Sequence, residues 1–201
     1  MKKRFIFILL LSLTITACSS NSGPTFTETP TYTLEPTSTL EPTSTPTQIP
    51  LSDIQLEEIA INNGDLPAGY SGAQIRDMAP AMFDNVPQAD KTFYQQLAKD
   101  GDTKGGVTIF LYESQEKIES AFSIIYDGLT DDAVELDEIG DRGYIDYVTM
   151  TVLGSKEQFG DLLFIRCNAV VHIRMNDLSS EDSLLAYAKR LDKRISEIIC
   201  P

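Results

Sequence analysis

The sequence predicts an α+β fold, in which a mostly antiparallel sheet of about four to six strands packs against helices and the C-terminal helix lies on the sheet. Two observations favour this class. Several segments beyond residue 106 are rich in β-branched and aromatic residues, and helical periodicity occurs between and after them. Two of these strands are separated by only two residues, a connection that joins antiparallel strands. A parallel winding is therefore disfavoured.

The first part of the folded region gives weaker signals. Ser52 precedes spaced apolar residues, and the sequence Asn-Asn-Gly follows them at 62–64, which predicts a short capped helix. Further on, 89–99 carries Phe93 and Leu97 four residues apart, and this spacing favours a helix. No strand is predicted before residue 107.

The remaining elements have clearer patterns. Ser114 is placed to cap the first long helix, whose apolar stripe reaches Leu129. Acidic residues at the start of the last helix and basic residues toward its end agree with the helix dipole. In chain order we predict a strand at 107–113, a helix after 114, strands at 144–153, 161–166 and 169–175, and a helix at 180–199.

The two-residue turn at 167–168 sets the register of the last two strands. It gives two apolar faces, one with Leu162, Phe164, Val171 and Ile173 and the other with Leu163, Ile165 and Val170. Two arrangements satisfy this pattern. Either helices cover both faces, or one face forms a groove for a ligand, with Phe110, Tyr112 and Tyr147 as candidate aromatic walls.

The N-terminus has the three parts of a bacterial export signal. Basic residues follow Met1, an apolar run occupies 5–11, and the small residue Ala17 precedes Cys18. The segment 5–17 is shorter than the roughly 20 apolar residues that a spanning helix needs. A cysteine directly after the small residue resembles the type II signal, or lipobox, of bacterial lipoproteins. The alternative is a cleaved secretory signal with an incidental cysteine.

This resemblance implies three regions. Residues 1–17 are the removed signal peptide, 18–50 the lipidated Cys18 with a disordered linker rich in Thr, Pro and Ser, and 51–201 a single globular domain. A diacylated cysteine, with palmitate as a candidate chain, anchors stably because two chains bind far better than one. We therefore expect a lipid-anchored protein on the extracytoplasmic side of the cell membrane.

The linker contains the sequence Thr-Leu-Glu-Pro-Thr-Ser twice, at 33–38 and 39–44. Frequent proline favours extended polyproline II and prevents a packed core, so the linker is interpreted as a semi-stiff spacer. Pro-rich recognition or attachment to the cell wall are the alternatives.

Cys167 and Cys200 remain once Cys18 is lipidated. An exported protein meets oxidising surroundings, where a pair of cysteines tends to close. A strand of about seven residues and a returning helix of about nineteen cover similar lengths, so the end of the helix should approach Cys167. We predict a disulfide between them, with two separate thiols as the alternative.

Composition argues against nucleic-acid binding. The chain has 16 basic and 30 acidic residues, and its net charge of −14 becomes −17 when the signal with its three basic residues is removed. Phosphate binding needs clustered Lys and Arg. We therefore expect no nucleic-acid partner.

Catalytic signatures are sparse. The one histidine, His172, lies within a predicted strand beside no nucleophile motif and is interpreted as structural. The stretch 101–106 resembles a phosphate loop but lacks the Gly-Lys-Ser/Thr order, so we predict a turn. Acidic residues between 127 and 141 offer oxygen ligands for Ca²⁺ without the EF-hand spacing, and are interpreted as a solvated loop. We predict neither a metal site nor a cofactor.

Four short strings at 66–70, 139–141, 164–168 and 187–191 are similar to uncharacterised extracytoplasmic domains of bacterial lipoproteins. That resemblance implies a PsbP-like α/β sandwich for residues 51–201. It implies no functional residue.

The leading hypothesis is a non-catalytic binding or assembly module displayed at the cell surface. Its partners would be the membrane, through the lipid, and an unknown protein, wall component or small molecule. One alternative is a hydrolase-type enzyme that uses acidic residues such as Glu135 or Asp141. Another is a sensor of Ca²⁺ or redox state, acting through the acidic loop or the cysteine pair.

Overall fold

A computed structural model describes residues 50–59, 63–152 and 154–200. The predicted signal peptide, Cys18 and the linker up to residue 49 lie outside the described residues. Within the described part of the chain, no helix combines the length and apolar character needed to cross a membrane.

Seven strands form one sheet in the described residues. They are β1 (Tyr70–Arg76), β2 (Lys91–Lys99), β3 (Asp102–Leu111), β4 (Val134–Leu136), β5 (Arg142–Val152), β6 (Ser155–Arg166) and β7 (Ala169–Asn176). Their spatial order is β1-β2-β3-β7-β6-β5-β4, and every neighbouring pair is antiparallel. The predicted α+β class with an antiparallel sheet is confirmed, whereas the predicted four to six strands are too few.

The missed strands have physical reasons. β1 is an edge strand with mostly exposed side chains and a bulge after Gly72, so it lacks the alternation of a half-buried strand. β4 has only three residues. The predicted helix at 89–99 is wrong, because this segment is β2.

In β2 the buried positions alternate, at Phe93, Gln95 and Leu97. Phe93 and Leu97 are four residues apart and therefore satisfy both the helical and the strand period. Because Gln95 is polar although it is buried, the sequence does not show the alternation of apolar and polar residues that is typical of a strand. Pairing with β3 along the strand decided its conformation.

Three α-helices lie in the described chain: α1 (Leu56–Ile59), α2 (Gln115–Tyr126) and α3 (Glu181–Ile199). The predicted helices after Ser114 and near the C-terminus are confirmed, although α2 ends three residues before Leu129. Ser114 Oγ accepts from Lys117 N at 3.4 Å and caps α2, as its position in the sequence predicted. The predicted helix after Ser52 is divided into a 3-10 turn (Leu51–Asp53) and the short α1.

The hairpin of β6 and β7 has the predicted register, with Arg166 opposite Ala169. One of its apolar faces packs under α3 and the other under α2. Helices therefore cover both faces of this hairpin, which decides between the two arrangements that the sequence left open.

Charged side chains fix α3 to the turn of the hairpin. Arg166 donates from Nε and Nη2 to the carboxylate of Asp192 on α3, at 2.7 and 2.6 Å, and from Nη1 to Asp141 at 2.9 Å. The hydrogen bonds with Asp192 raise the pKa of the Arg166 guanidinium, against the opposing effect of burial. Asp141 also accepts from the backbone N–H of Cys167 at 2.8 Å. The turn is thus held from both sides.

Cys167 in this turn and Cys200 after α3 lie at disulfide distance, with their Cα atoms 5.9 Å apart. The predicted proximity of the two cysteines is confirmed. A bond here would close a ring that contains β7 and α3.

We expect that replacing Cys167 and Cys200 together by Ser lowers the free energy of unfolding by about 3–4 kcal/mol, because the unfolded chain loses a closed ring of about 34 residues. Urea denaturation of the full chain, with and without a reductant, measures this change. Reductant should destabilise the unsubstituted protein and leave the double variant unaffected. Free thiols titrated at Cys167 and Cys200 in the untreated, unfolded chain would contradict the bond.

Candidate functional site

The three candidate wall residues lie on two different faces of the sheet. Phe110 and Tyr112 belong to the cluster under α2, with 3% and 0% of their surfaces exposed. The Tyr112 hydroxyl donates to the Pro87 carbonyl at 2.8 Å, and burial, followed by the nearby Asp90 charge, raises its pKa to about 12. Tyr147 packs on the α3 side. No common wall contains all three.

The candidate catalytic acids are not brought into one pocket. Glu135 is exposed on β4, whereas Asp141 accepts hydrogen bonds from Arg166 and Cys167. Another acid of this region, Glu138, forms an ion pair with Lys189 on α3. In the part of the chain that the structure describes, no three His, Cys, Asp or Glu side chains are grouped so that they could hold a metal ion.

The glycine-rich stretch at 101–106 is only partly a turn. Asp100 and Gly101 have φ values of 53° and 87° and connect β2 to β3. Gly105 and Gly106 instead lie inside β3, opposite Met175 and Arg174 of β7. The turn prediction therefore holds only for Gly101, because β3 begins at Asp102.

A polar cluster interrupts the apolar face under α2. Asp161 on β6 contacts two residues of β7. His172 Nε2 lies 2.9 Å from Asp161 Oδ1. Arg174 donates from Nε to Asp161 Oδ1 at 2.7 Å and from Nη2 to Asp161 Oδ2 at 3.1 Å. His172 is 3% exposed, and its ring meets the edge of Phe83 at 5.4 Å between centroids. The histidine is thus held by packing on one side and by a carboxylate on another.

The charges in this cluster compensate each other. Burial raises the pKa of Asp161, but hydrogen bonds and charge from His172 and Arg174 outweigh it, and the pKa is lowered overall. An ionised carboxylate can only accept, so His172 Nε2 carries the hydrogen in the bond to Asp161.

Asp146 on β5 is the register partner of Asp161 and is 4% exposed. Its carboxylate accepts from the backbone N and the Oγ1 of Thr130, at 2.7 and 2.9 Å. The two neighbouring carboxylates therefore have separate sets of donors.

A cleft of about 220 Å³ opens beside the polar cluster, and we call it the β3–β7 cleft. Two glycines, Gly105 and Gly106, line the base of the cleft, where a side chain would clash with neighbouring atoms. A Cβ on Gly106 would come within 2.4 Å of the Tyr94 ring, and one on Gly105 would come within 1.9 Å of the Arg174 carbonyl oxygen. Glycine within a strand often marks such close approach. The polar lining consists of Tyr94, Thr103, Thr108, His172, Arg174 and Asn176.

One lining residue of this cleft has an unsatisfied polar atom. Asn176 Oδ1 is buried and has no hydrogen-bond partner among the described residues. A buried acceptor without a donor costs about 1–3 kcal/mol. The Asn176 backbone is satisfied, since its carbonyl accepts from the Tyr70 hydroxyl. The unmet requirement is therefore confined to the side-chain oxygen.

Comparison of the chain with protein family models, curated proteins and solved structures found no match.

We expect Asp161→Asn to lower the free energy of unfolding by about 1.5–3 kcal/mol at neutral pH, because it weakens charge-assisted bonds to His172 and Arg174. The pKa of Asp161 is lower in the folded than in the unfolded protein, so its contribution is present above the unfolded value of about 3.9 and is lost as pH falls through the folded value. Urea denaturation from pH 7 to pH 2 should show the difference between wild type and variant shrinking below about pH 4.

The exposed Asp131→Asn is the matched control, with little effect at any pH. An Asp161→Asn effect that persists undiminished at the acid end would mean that the ionised carboxylate is not the stabilising group.

Proposed function

We propose that this protein is a lipid-anchored extracytoplasmic binding module, and that the β3–β7 cleft holds its ligand. The anchor is supported by the order of basic residues, apolar run, Ala17 and Cys18. The linker at 18–50 would hold the domain away from the membrane surface. The strongly acidic composition supports a partner other than nucleic acid.

The unsatisfied Asn176 Oδ1 is the observation that carries the binding role. Rotation of the Asn176 side chain toward the cleft would let a ligand donate a hydrogen bond to this oxygen, which would remove the cost of burying it unpaired. The lining combines phenol, hydroxyl and guanidinium groups with the apolar Met82 and Phe83. Such a mixture suits a small polar molecule with an apolar part.

A binding role is favoured over catalysis because the reactive groups near the cleft are already engaged. His172 Nε2 donates to Asp161, and Asp161 also binds Arg174. Neither serine nor cysteine lines the cleft. Asp141, a candidate for the hydrolase alternative, is held by Arg166 and Cys167 N. The bond to Asp161 leaves Nδ1 as the remaining ring nitrogen of His172 for proton transfer, and no serine or cysteine lines the cleft to be activated by it.

We expect Asn176→Leu to separate stability from binding. It removes the buried acceptor, so the unliganded protein should melt at or above the wild-type temperature. A thermal-shift screen of the full chain, in detergent without a sugar head group, would test amino acids, nucleosides, wall-derived peptides and phospholipids. A true ligand at 100 times its Kd stabilises the wild type by about 2.7 kcal/mol. That shift should be absent in Asn176→Leu.

The exposed Asn85→Leu controls for the substitution itself and should keep the ligand-induced shift. No stabilisation by any of the probe sets, or equal stabilisation of Asn176→Leu and wild type, would count against the cleft as a ligand site.

For the anchor, we expect Cys18→Ala to move the protein from the membrane fraction to the soluble or secreted fraction and to abolish labelling by a palmitate analogue, because the thiol that receives the lipid is lost. Ser20→Ala, two residues further along the chain, is the matched control and should remain membrane-bound. Labelling that persists without Cys18 would refute the assignment.

A further inference from the structure

A second cleft, of about 390 Å³, lies between α2 and the beginning of β5. We call it the α2–β5 cleft. Its lining consists of Glu119, Phe122, Ser123, Tyr126, Arg142 and Tyr144, none of which lines the β3–β7 cleft. The volume falls within the range of about 300–1,000 Å³ that is usual for small-molecule sites.

Three aromatic rings form the apolar part of this cleft. Tyr126 and Tyr144 are 4.6 Å apart between centroids, and Phe122 lies 6.0 Å from Tyr144 and 6.4 Å from Tyr126. Phe122 is 4% exposed and belongs to the core, whereas Tyr126 is 39% exposed. The exposed ring is therefore backed by rigid neighbours, which limits the entropy lost when a ligand stacks on it.

An ion pair forms the polar part. Arg142 Nη2 binds Glu119 Oε2 at 2.7 Å, and its guanidinium lies 4.1 Å from the centre of the Phe122 ring. Glu119 also accepts from Gln115 Nε2 at 3.1 Å. Both charged side chains remain partly exposed, at 38% for Arg142 and 50% for Glu119. Each can thus offer further hydrogen bonds to a ligand.

These charges select against ionic ligands. A cation would meet Arg142, which already occupies the cation–π position on Phe122, while the carboxylate of Glu119 is already neutralised. An anion would meet Glu119 and a chain with a net charge of −14. The complementary ligand is neutral, carries hydroxyls that both donate and accept, and has an apolar face for Tyr126.

We propose that the α2–β5 cleft binds one or two rings of a neutral saccharide. The C–H face of a sugar stacks on Tyr126, while its hydroxyls donate to Glu119 and accept from Arg142. The site is independent of the β3–β7 cleft and of the lipid anchor. It would give a surface-displayed domain affinity for glycans.

The test uses the full chain in detergent without a sugar head group, with cellotetraose, maltotetraose and the tetramer of N-acetylglucosamine as probes. Saturation-transfer NMR and calorimetry should detect binding of at least one of them. Tyr126→Ala should weaken that binding about tenfold or more, whereas Tyr126→Phe keeps the ring and should retain most of it. Glu119→Gln should also weaken binding, because a neutral amide accepts less strongly.

Ile124→Ala is the matched control, since Ile124 lies on the same helix with similar exposure but outside the cleft. It should bind as wild type, and all variants should show wild-type melting within a few degrees. Choline chloride and sodium acetate test the ionic alternatives. Binding of choline or acetate that depends on Tyr126, saccharide binding equal in Tyr126→Ala and wild type, or no binding of any saccharide would each overturn the proposal.

Discussion

The rest of the fold depends on one constraint: the hairpin of β6 and β7 lies near the centre of the sheet and is apolar on both faces. Such a pair of strands must be covered twice, because an open face would leave several large side chains in water. α3 covers one face and α2 the other. The ion pairs of Arg166 with Asp192 and Asp141 then fix where α3 meets the end of the hairpin. The outer strands extend the sheet from this closed centre.

Polar groups on the α2 face are tolerated because they satisfy one another. Asp161 takes hydrogen bonds from His172 and Arg174, and Asp146 takes them from Thr130. In a low-dielectric environment a fully paired network is stable, and a single unpaired group is costly. Two exceptions on this face among the described residues are Asn176 Oδ1 beside the β3–β7 cleft and Arg142 Nε beside the α2–β5 cleft. An unsatisfied buried group of this kind calls for an explanation, and the ligand that we propose for the β3–β7 cleft would supply one for Asn176.

The width of the sheet leaves room for two clefts on the face that α2 covers only in part. A helix is about 10 Å wide with its side chains, and strands lie about 4.8 Å apart, so one helix covers two or three strands. The sheet has seven strands in the described residues, and α2 packs on β6 and β7. One cleft opens toward β3 and the other toward β5. Both clefts exist because a short helix covers only part of a wide sheet. Their polar side chains differ because they come from different strands.

Local patterns in the sequence predict β7, α2, α3 and the second half of β6, through period-two or helical apolar spacing and, for α2, a capping serine. The first half of β6, 155–160, was missed. The predicted lipoprotein signal around Cys18 is also a linear pattern. Tertiary structure alone decided that 91–99 is a strand, because pairing with β3 outweighs an ambiguous apolar spacing. Tertiary structure also determined which residues line the two clefts. Tyr94 meets Gly106, and Arg142 meets Phe122, only through sheet register and helix packing, which connect residues that are distant in the chain.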